Sequence, residues 1–177
     1  MWKTTCVLLG SDKMNDMNVA EDKSFAILRI IFGVVWFIDA SFKWNPEFLN
    51  NFTDYILEGL GNQPPLVQAW IDLWVKGVSV DPHFFAIIVA ISETALAISL
   101  LFGLFTELGI VGGIALSFVI WSTAEGLGGP YIAGSTDIGA AIIYIMVFVA
   151  LWLGRCWRYY SIDPYIRKRV PFLYWRW

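Results

Sequence analysis

The sequence predicts an all-α polytopic membrane protein: a four-transmembrane-helix bundle with amphipathic helices in a long first outer segment. Three observations predict it. Of 177 residues, 58% are hydrophobic and only 15% charged, with ten tryptophans. A soluble domain averages roughly 45–50% apolar and about 25% charged, so a soluble sphere of this length has too little interior for the excess. Four apolar stretches, 25–42, 84–105, 108–124 and 138–153, come near the roughly 17–25 residues that a spanning helix needs. Lysine and arginine collect before the first stretch and after the last, and nearly vanish between them. The same arithmetic excludes other classes. The net charge of −3 has the wrong sign for a nucleic-acid binder. Two cysteines build no disulfide scaffold and lack metal-site spacing. Hydrophobicity excludes a disordered chain, and the length leaves no room for separate cofactor and substrate domains.

Residues 1–24 read as a cytoplasmic lead-in. They carry Asp12, Asp16, Glu21 and Asp22, and their one apolar run, Cys6 to Leu9, is too short for a signal peptide. The first span, 25–42, then serves as its own insertion signal. The outer segment 44–82 is long for a bare loop. Phe48, Leu49, Phe52, Tyr55 and Ile56 recur at helical spacing, Gly59, Gly61 and Pro64-Pro65 break the chain, and Leu66, Trp70, Leu73 and Trp74 form a second stripe. Such stripes either anchor in the headgroup region or lid the bundle. In the second span Ala86, Ala90, Glu93 and Ala97 share a face. In the third, Gly109, Gly113 and Ser117 repeat every four residues, and small residues let helices approach closely in lipid. The fourth span, 138–153, is short and borrows from its flanks. Residues 154–177 form a basic, aromatic tail.

Orientation follows from the basic residues. Lys3, Lys13, Lys23 and Arg29 precede or open the first span. Arg155, Arg158, Arg167, Lys168, Arg169 and Arg176 follow the last, and segment 44–82 holds only Lys76. An even number of spans puts both termini on one side, and charge makes that side the cytoplasm of a plasma membrane. The four-span domain is therefore 25–153.

Charges inside spans are costly and face the interior of a bundle. Arg29, Phe32, Trp36, Asp39 and Lys43 step by three or four along one face of the first span. Asp39 and Lys43 form an acid-then-base i,i+4 pair, either a working pair or an interfacial one with Lys43 snorkelling outward. Glu93 lies about 15 Å along its helix from His83, near mid-membrane. It must pair, hydrogen-bond to neighbouring helices, or take part in proton transfer. Asp137, Ala141, Tyr144 and Phe148 make one stripe on the fourth span. Trp36 and Tyr144 lie about 10 Å inward from their outer span ends, and Trp121 and Glu125 close the outer end of the third span. Converging, these faces would make an aromatic pocket with carboxylates, suited to a flat, proton-accepting quinone head group. Packed together, they would be ordinary aromatic core. The outward helix starts at Asp81-Pro82 and Thr136-Asp137 look like caps, and Gly126–Pro130 could offer backbone N–H groups. His83, the only histidine, reads as interfacial ahead of catalytic. No haem, flavin, Fe–S, phosphate-loop or metal motif is visible.

Two runs, Arg29-Ile-Ile-Phe-Gly33 and Trp36-Phe-Ile-Asp39-Ala-Ser-Phe-Lys43-Trp-Asn-Pro46-Glu-Phe48, resemble the first-span signature of the DoxD/DoxX-like membrane proteins. Ser92-Glu93-Thr94 to Thr106 is similar to that family's second span. Trp121-Ser-Thr-Ala-Glu125, Gly128-Gly129-Pro130-Tyr131 and Thr136-Asp137-Ile-Gly139 to Tyr144 resemble the DoxD branch in particular. The likeness covers about residues 25–153, and Ala40-Ser41 departs from the glycine that relatives often carry there.

This resemblance implies the large membrane subunit of a thiosulfate:quinone oxidoreductase. Such an enzyme joins two thiosulfates into tetrathionate and passes the electrons to a membrane quinone, its electron acceptor. A DoxA-like small subunit is the implied partner, a terminal quinol oxidase a further one. Quinone reduction consumes protons, so Glu93, Asp39 and Asp137 become the catalytic candidates. Lys43, Lys76 and His83 are the outward cations for an anionic substrate, with Glu125 beside them. Trp36, Trp121 and Tyr144 could stack on the quinone ring. Cys6 and Cys156 both fall on the cytoplasmic side, away from an outer thiosulfate site. The competing functions are a non-catalytic accessory subunit of a terminal quinol oxidase and a small transporter or proton channel.

Overall fold

A computed structural model describes the backbone of residues 2–131 and 137–169, and side chains from Val19 onward within those ranges. All regular structure among the described residues is helical. Helix α1 runs Trp2–Lys43, 42 residues and about 63 Å long at 1.5 Å per residue. The 1–24 lead-in is thus helical from Trp2 and joins the first apolar stretch without a break. Nothing interrupts it, because the first proline of the chain is Pro46. There the next element begins: Pro46 takes the first helical position of α2 (Pro46–Asn50), and the Asn45 side chain accepts the Glu47 N–H at 3.0 Å. Then come α3 (Phe52–Leu57), a 3₁₀ turn (Glu58–Leu60), α4 (Pro65–Val78), α5 (Pro82–Phe102), α6 (Thr106–Ser122), a second 3₁₀ turn (Gly126–Gly128), α7 (Ala140–Leu153) and α8 (Asp163–Arg167).

Two helical segments are long and apolar enough to cross a membrane, Val19–Lys43 within α1 and Pro82–Phe102, which is α5. The other two apolar helices are shorter, 17 residues in α6 and 14 in α7. Helix α5 starts at Asp81, whose carboxylate accepts the Phe84 N–H at 3.0 Å, and ends at Gly103 with φ +64, the left-handed cap that glycine adopts freely.

Helix α1 pairs with α5 and α6 with α7. Between the pairs lies a core of Phe32, Trp36, Leu96, Leu100, Ile110, Phe148 and Leu151. The small-residue faces do what their spacing predicts. A Cβ on Gly113 would fall 2.2 Å from the Phe148 ring, so only glycine lets α6 lie this close to α7. Ala86, Ala90, Glu93 and Ala97 are all buried against α1 and the outer segment. Burial across the bundle is inverted relative to a soluble protein. Arg29, Glu93, Thr106 and Ser117 are fully buried, while Ile31, Phe37, Phe42, Ile91, Leu108, Phe118, Met146 and Leu153 face outward.

Segment 44–82 folds over one end of the bundle. Phe48, Phe52, Ile56, Ile71 and Val78 close a second core on Ala86 of α5. Gln63 is buried and packs on the turn at Gly126, and a Cβ on Gly59 would collide with the Thr123 carbonyl. The expected stripe of α4 is the face that this packing leaves outward: Leu66 is 83% exposed and Leu73 62%. Helix α4 is therefore apolar on two sides. One lids the bundle and the other is left open.

The opposite end is closed by the tail. Arg29 donates from Nη1 to the Cys156 carbonyl at 3.1 Å and from Nη2 to the Tyr160 carbonyl at 2.5 Å. The Asp163 carboxylate accepts the N–H groups of Phe105 at 2.6 Å and Thr106 at 2.9 Å, capping α6 from 57 residues downstream. Arg167 meets Glu107 of the same turn at 2.8 Å.

Candidate functional site

The face of α1 that steps through Phe32, Trp36, Asp39 and Lys43 meets Glu93 of α5. Lys43 Nζ lies 3.1 Å from Asp39 Oδ1, a hydrogen-bonded ion pair one turn apart on the same helix. It also lies 3.7 Å from Glu93 Oε2, close enough for Coulomb attraction but too long for a hydrogen bond. Glu93 is fully buried, and neither of its oxygens finds a hydrogen-bond partner among the described residues. The adjoining Thr94 hydroxyl accepts the Trp44 indole N–H at 3.0 Å, which pins the end of α1 to α5 beside this cluster. Asp39, Lys43 and Glu93 thus form one group, with a single cation shared between two carboxylates.

A pocket of about 280 Å³ opens beside the group, lined by Asp39, Lys43, Asn45, Glu47, Phe48 and Tyr55. The Lys43 ammonium sits 5.5 Å from the centre of the Phe48 ring, in cation–π range. With Asp39, Glu47 and the buried Glu93 against one lysine, the pocket brings no uncompensated positive charge.

The aromatic candidates divide. Trp36 is fully buried, and its ring centroid lies 5.5 Å from Tyr144, 5.8 Å from Phe148 and 6.2 Å from Phe32. Its indole N–H has no partner among the described residues. Tyr144 is only half-buried, and its phenol feels the charges of Asp39, Glu125, Lys43 and Glu93. Tyr144 therefore borders the carboxylate group, and Trp36 packs against Tyr144 within the aromatic core. Trp121 does neither: its indole N–H donates to the Ile138 carbonyl at 2.9 Å and ties the end of α6 to the approach of α7.

The chain matches no family model, no curated protein and no solved structure. The likeness to DoxD/DoxX-like proteins therefore rests on the motifs within 25–153 alone.

The remaining candidates sit apart from the group. Glu125 caps α7, its oxygens accepting the N–H of Ala140 at 3.1 Å and of Ala141 at 3.1 and 3.2 Å. The expected Thr136-Asp137 cap is only partly testable, since Thr136 lies outside the described residues. Asp137 is exposed and accepts the Gly139 N–H at 2.9 Å in a local turn. The start of α7 is thus already neutralised by a carboxylate from 15 residues upstream. The amides of Gly126, Gly128 and Gly129 bond to carbonyls of their own turn, so that loop offers them to no ligand. Lys76 is exposed on α4. His83 is exposed, with Nδ1 3.2 Å from the Leu49 carbonyl. Among the described residues no three His, Cys, Asp or Glu side chains cluster as a metal site.

Two features were not legible in the sequence, the burial of Cys156 and the cap at Asp163. Cys156 is fully buried under Arg29, and burial pushes its thiol up to about 12. The cap at Asp163 had a faint signal in Ser161-Ile-Asp163-Pro164, which reads equally as the start of α8 itself.

Proposed function

We propose that this chain is the membrane subunit of a thiosulfate:quinone oxidoreductase, crossing the membrane four times with both termini cytoplasmic. In this reading the Asp39–Lys43–Glu93 group is its proton relay to quinone. The apolar outward faces of α6 and α7 support the count of four, because Leu108, Val111, Phe118, Ile143, Met146 and Val149 would otherwise stand in water. The two helices span only about 25 Å and 21 Å, so their flanks supply the rest of the crossing. The end covered by 44–82 is then the outer one.

The observation that carries the reading is Glu93. A buried carboxylate without a hydrogen bond is costly to keep, and such groups concentrate where protons are exchanged. Joining two thiosulfate dianions into tetrathionate releases two electrons and no proton. Reducing the quinone takes up those two electrons and two protons. Each proton enters from water in the outer pocket. The Lys43 ammonium hands one proton to the Glu93 carboxylate and is reprotonated from that water beside Asp39. Glu93 gives its proton to the quinone, twice per quinone reduced. A quinone head group approaches along the half-exposed edge of Tyr144, since Trp36 is closed in by Phe32, Tyr144 and Phe148. The shared Lys43 leaves little charge for a dianion, so a second subunit, of the small DoxA-like kind, supplies the cations of the thiosulfate site over segment 44–82.

The same neutralised lysine favours the second reading, an accessory subunit of a terminal quinol oxidase with no thiosulfate chemistry. The deciding experiment is to purify the complex with its partners and follow thiosulfate-dependent reduction of a water-soluble quinone analogue. The first reading expects turnover from the complex and none from this chain alone. A complex that contains a terminal oxidase and is inert to thiosulfate selects the second.

A further inference from the structure

At the tail end, between the first turns of the apolar part of α1 and the turn after α7, lies a pocket of about 380 Å³. Its floor is Phe25 and Leu153, and its walls carry Glu21, Asp22, Arg155 and Arg158. Gly154 completes the fit, since a Cβ there would lie 2.2 Å from the Phe25 ring. Two of the four charges cancel each other: Arg158 Nη1 donates to Asp22 Oδ2 at 2.9 Å. The nearby Lys23 ammonium is turned to the Tyr159 ring, 5.8 Å from its centre. The side chains of Glu21 and Arg155 have neither a hydrogen bond nor an ion pair among the described residues. One anion and one cation therefore stand ready in one cavity, beside an apolar floor whose Leu153 is 76% exposed.

We propose that this pocket seats the headgroup of a phospholipid bearing both a phosphodiester and a primary ammonium, the phosphatidylethanolamine type. The phosphodiester meets Arg155, in the fork geometry that suits a guanidinium. The ammonium donates to Glu21, and an acyl chain descends along Phe25 and Leu153. A glycerol headgroup brings only negative charge to Glu21, and a choline headgroup has no N–H to donate. The proposal rests on the reading of α1 and α7 as spans, which sets the pocket at headgroup depth.

The test is native mass spectrometry of the full chain released from micelles. The micelles contain equal amounts of phosphatidylethanolamine, phosphatidylglycerol and phosphatidylcholine with identical chains. One charge contact at a membrane surface is worth about 1 kcal/mol, or about fivefold. The ethanolamine lipid should be retained about fivefold over the other two. Arg155→Gln should lower retention of all three by about that factor, and Glu21→Gln should erase the preference for ethanolamine over glycerol. Both residues are exposed, so neither change threatens the fold. Soluble glycerophosphoethanolamine in excess should not displace the lipid. Displacement by it, equal or better retention of the glycerol lipid, or indifference to both substitutions would each overturn the proposal. Labelling of Arg158→Cys and Asn62→Cys variants, each with Cys6→Ser, in right-side-out and inverted vesicles separates the two layers. Labelling of the two sites from opposite sides without lipid preference defeats the lipid site alone, and labelling of both from the same side defeats the span reading together with it.

Discussion

Arg29 and Glu93 are both sealed from solvent on the two longest apolar helices, one toward each end of the bundle. Arg29 spends two of its three nitrogens on carbonyls of the tail and leaves only Nε without a hydrogen-bond partner among the described residues. Glu93 spends neither oxygen on a hydrogen bond among the described residues, and its nearest cation is already held by Asp39. A buried charge with most of its hydrogen bonds made costs little beyond its desolvation, whereas one with none adds about 1–3 kcal/mol or more. The difference teaches what each end is for. The tail end uses its guanidinium to hold backbone in place, and the covered end leaves a carboxyl group that holds none.

That contrast breaks first at Glu93. Glutamine preserves shape but cannot cycle a proton. Under the proposed oxidoreductase function, Glu93→Gln should leave an assembled complex whose quinone reduction falls by about 10²–10⁴-fold, the usual contribution of a general acid–base group. Near-normal turnover with intact thermal stability would make Glu93 a structural residue, no different in kind from Arg29. Arg29→Leu should act on stability and not on chemistry. It strands one buried carbonyl, that of Cys156, and one part-buried carbonyl, that of Tyr160, a loss of about 1–3 kcal/mol, read as a lower Tm and protease cleavage within the tail. An unchanged Tm would show that the tail holds itself.

A smaller effect is expected at the α6 cap. Asp163→Ala should cost about 1–2 kcal/mol, with turnover per folded complex unchanged. A loss larger than that of Arg29→Leu would reverse the ranking of the two tail contacts. The smallest expected signal is at Cys156. With its thiol pushed up to about 12, the protonated form prevails at every pH below that. Maleimide at pH 8 should leave Cys156 unmodified until the protein is unfolded, and rapid labelling of the native chain would show that the tail opens.

The sequence exposed what depends on near neighbours. The four apolar stretches follow from composition and length, the Asp39–Lys43 step and the common face of Trp36 and Asp39 follow from helical spacing, and Glu93 stood out as a carboxylate within an apolar run. What escaped it depends on residues far apart in the chain. Arg29 finds its carbonyls 127 and 131 positions away, and Asp163 finds its amides 57 and 58 away. Periodicity carries no information at that range. Glu125 and Trp121 were legible as polar and aromatic groups at a span end. Their use in starting α7 was not, because a cap from 15 residues upstream leaves no pattern beside the helix that it caps.

The cap at Asp163 also imposes an order on biosynthesis. The chain is made from its first residue onward, so α6 is complete long before the carboxylate that closes its first turn exists. Until residue 163 leaves the ribosome, the amides of Phe105 and Thr106 lack that acceptor. The turn between α5 and α6 therefore closes in its final form only after α7 has been made, when the tail folds back onto helices that preceded it.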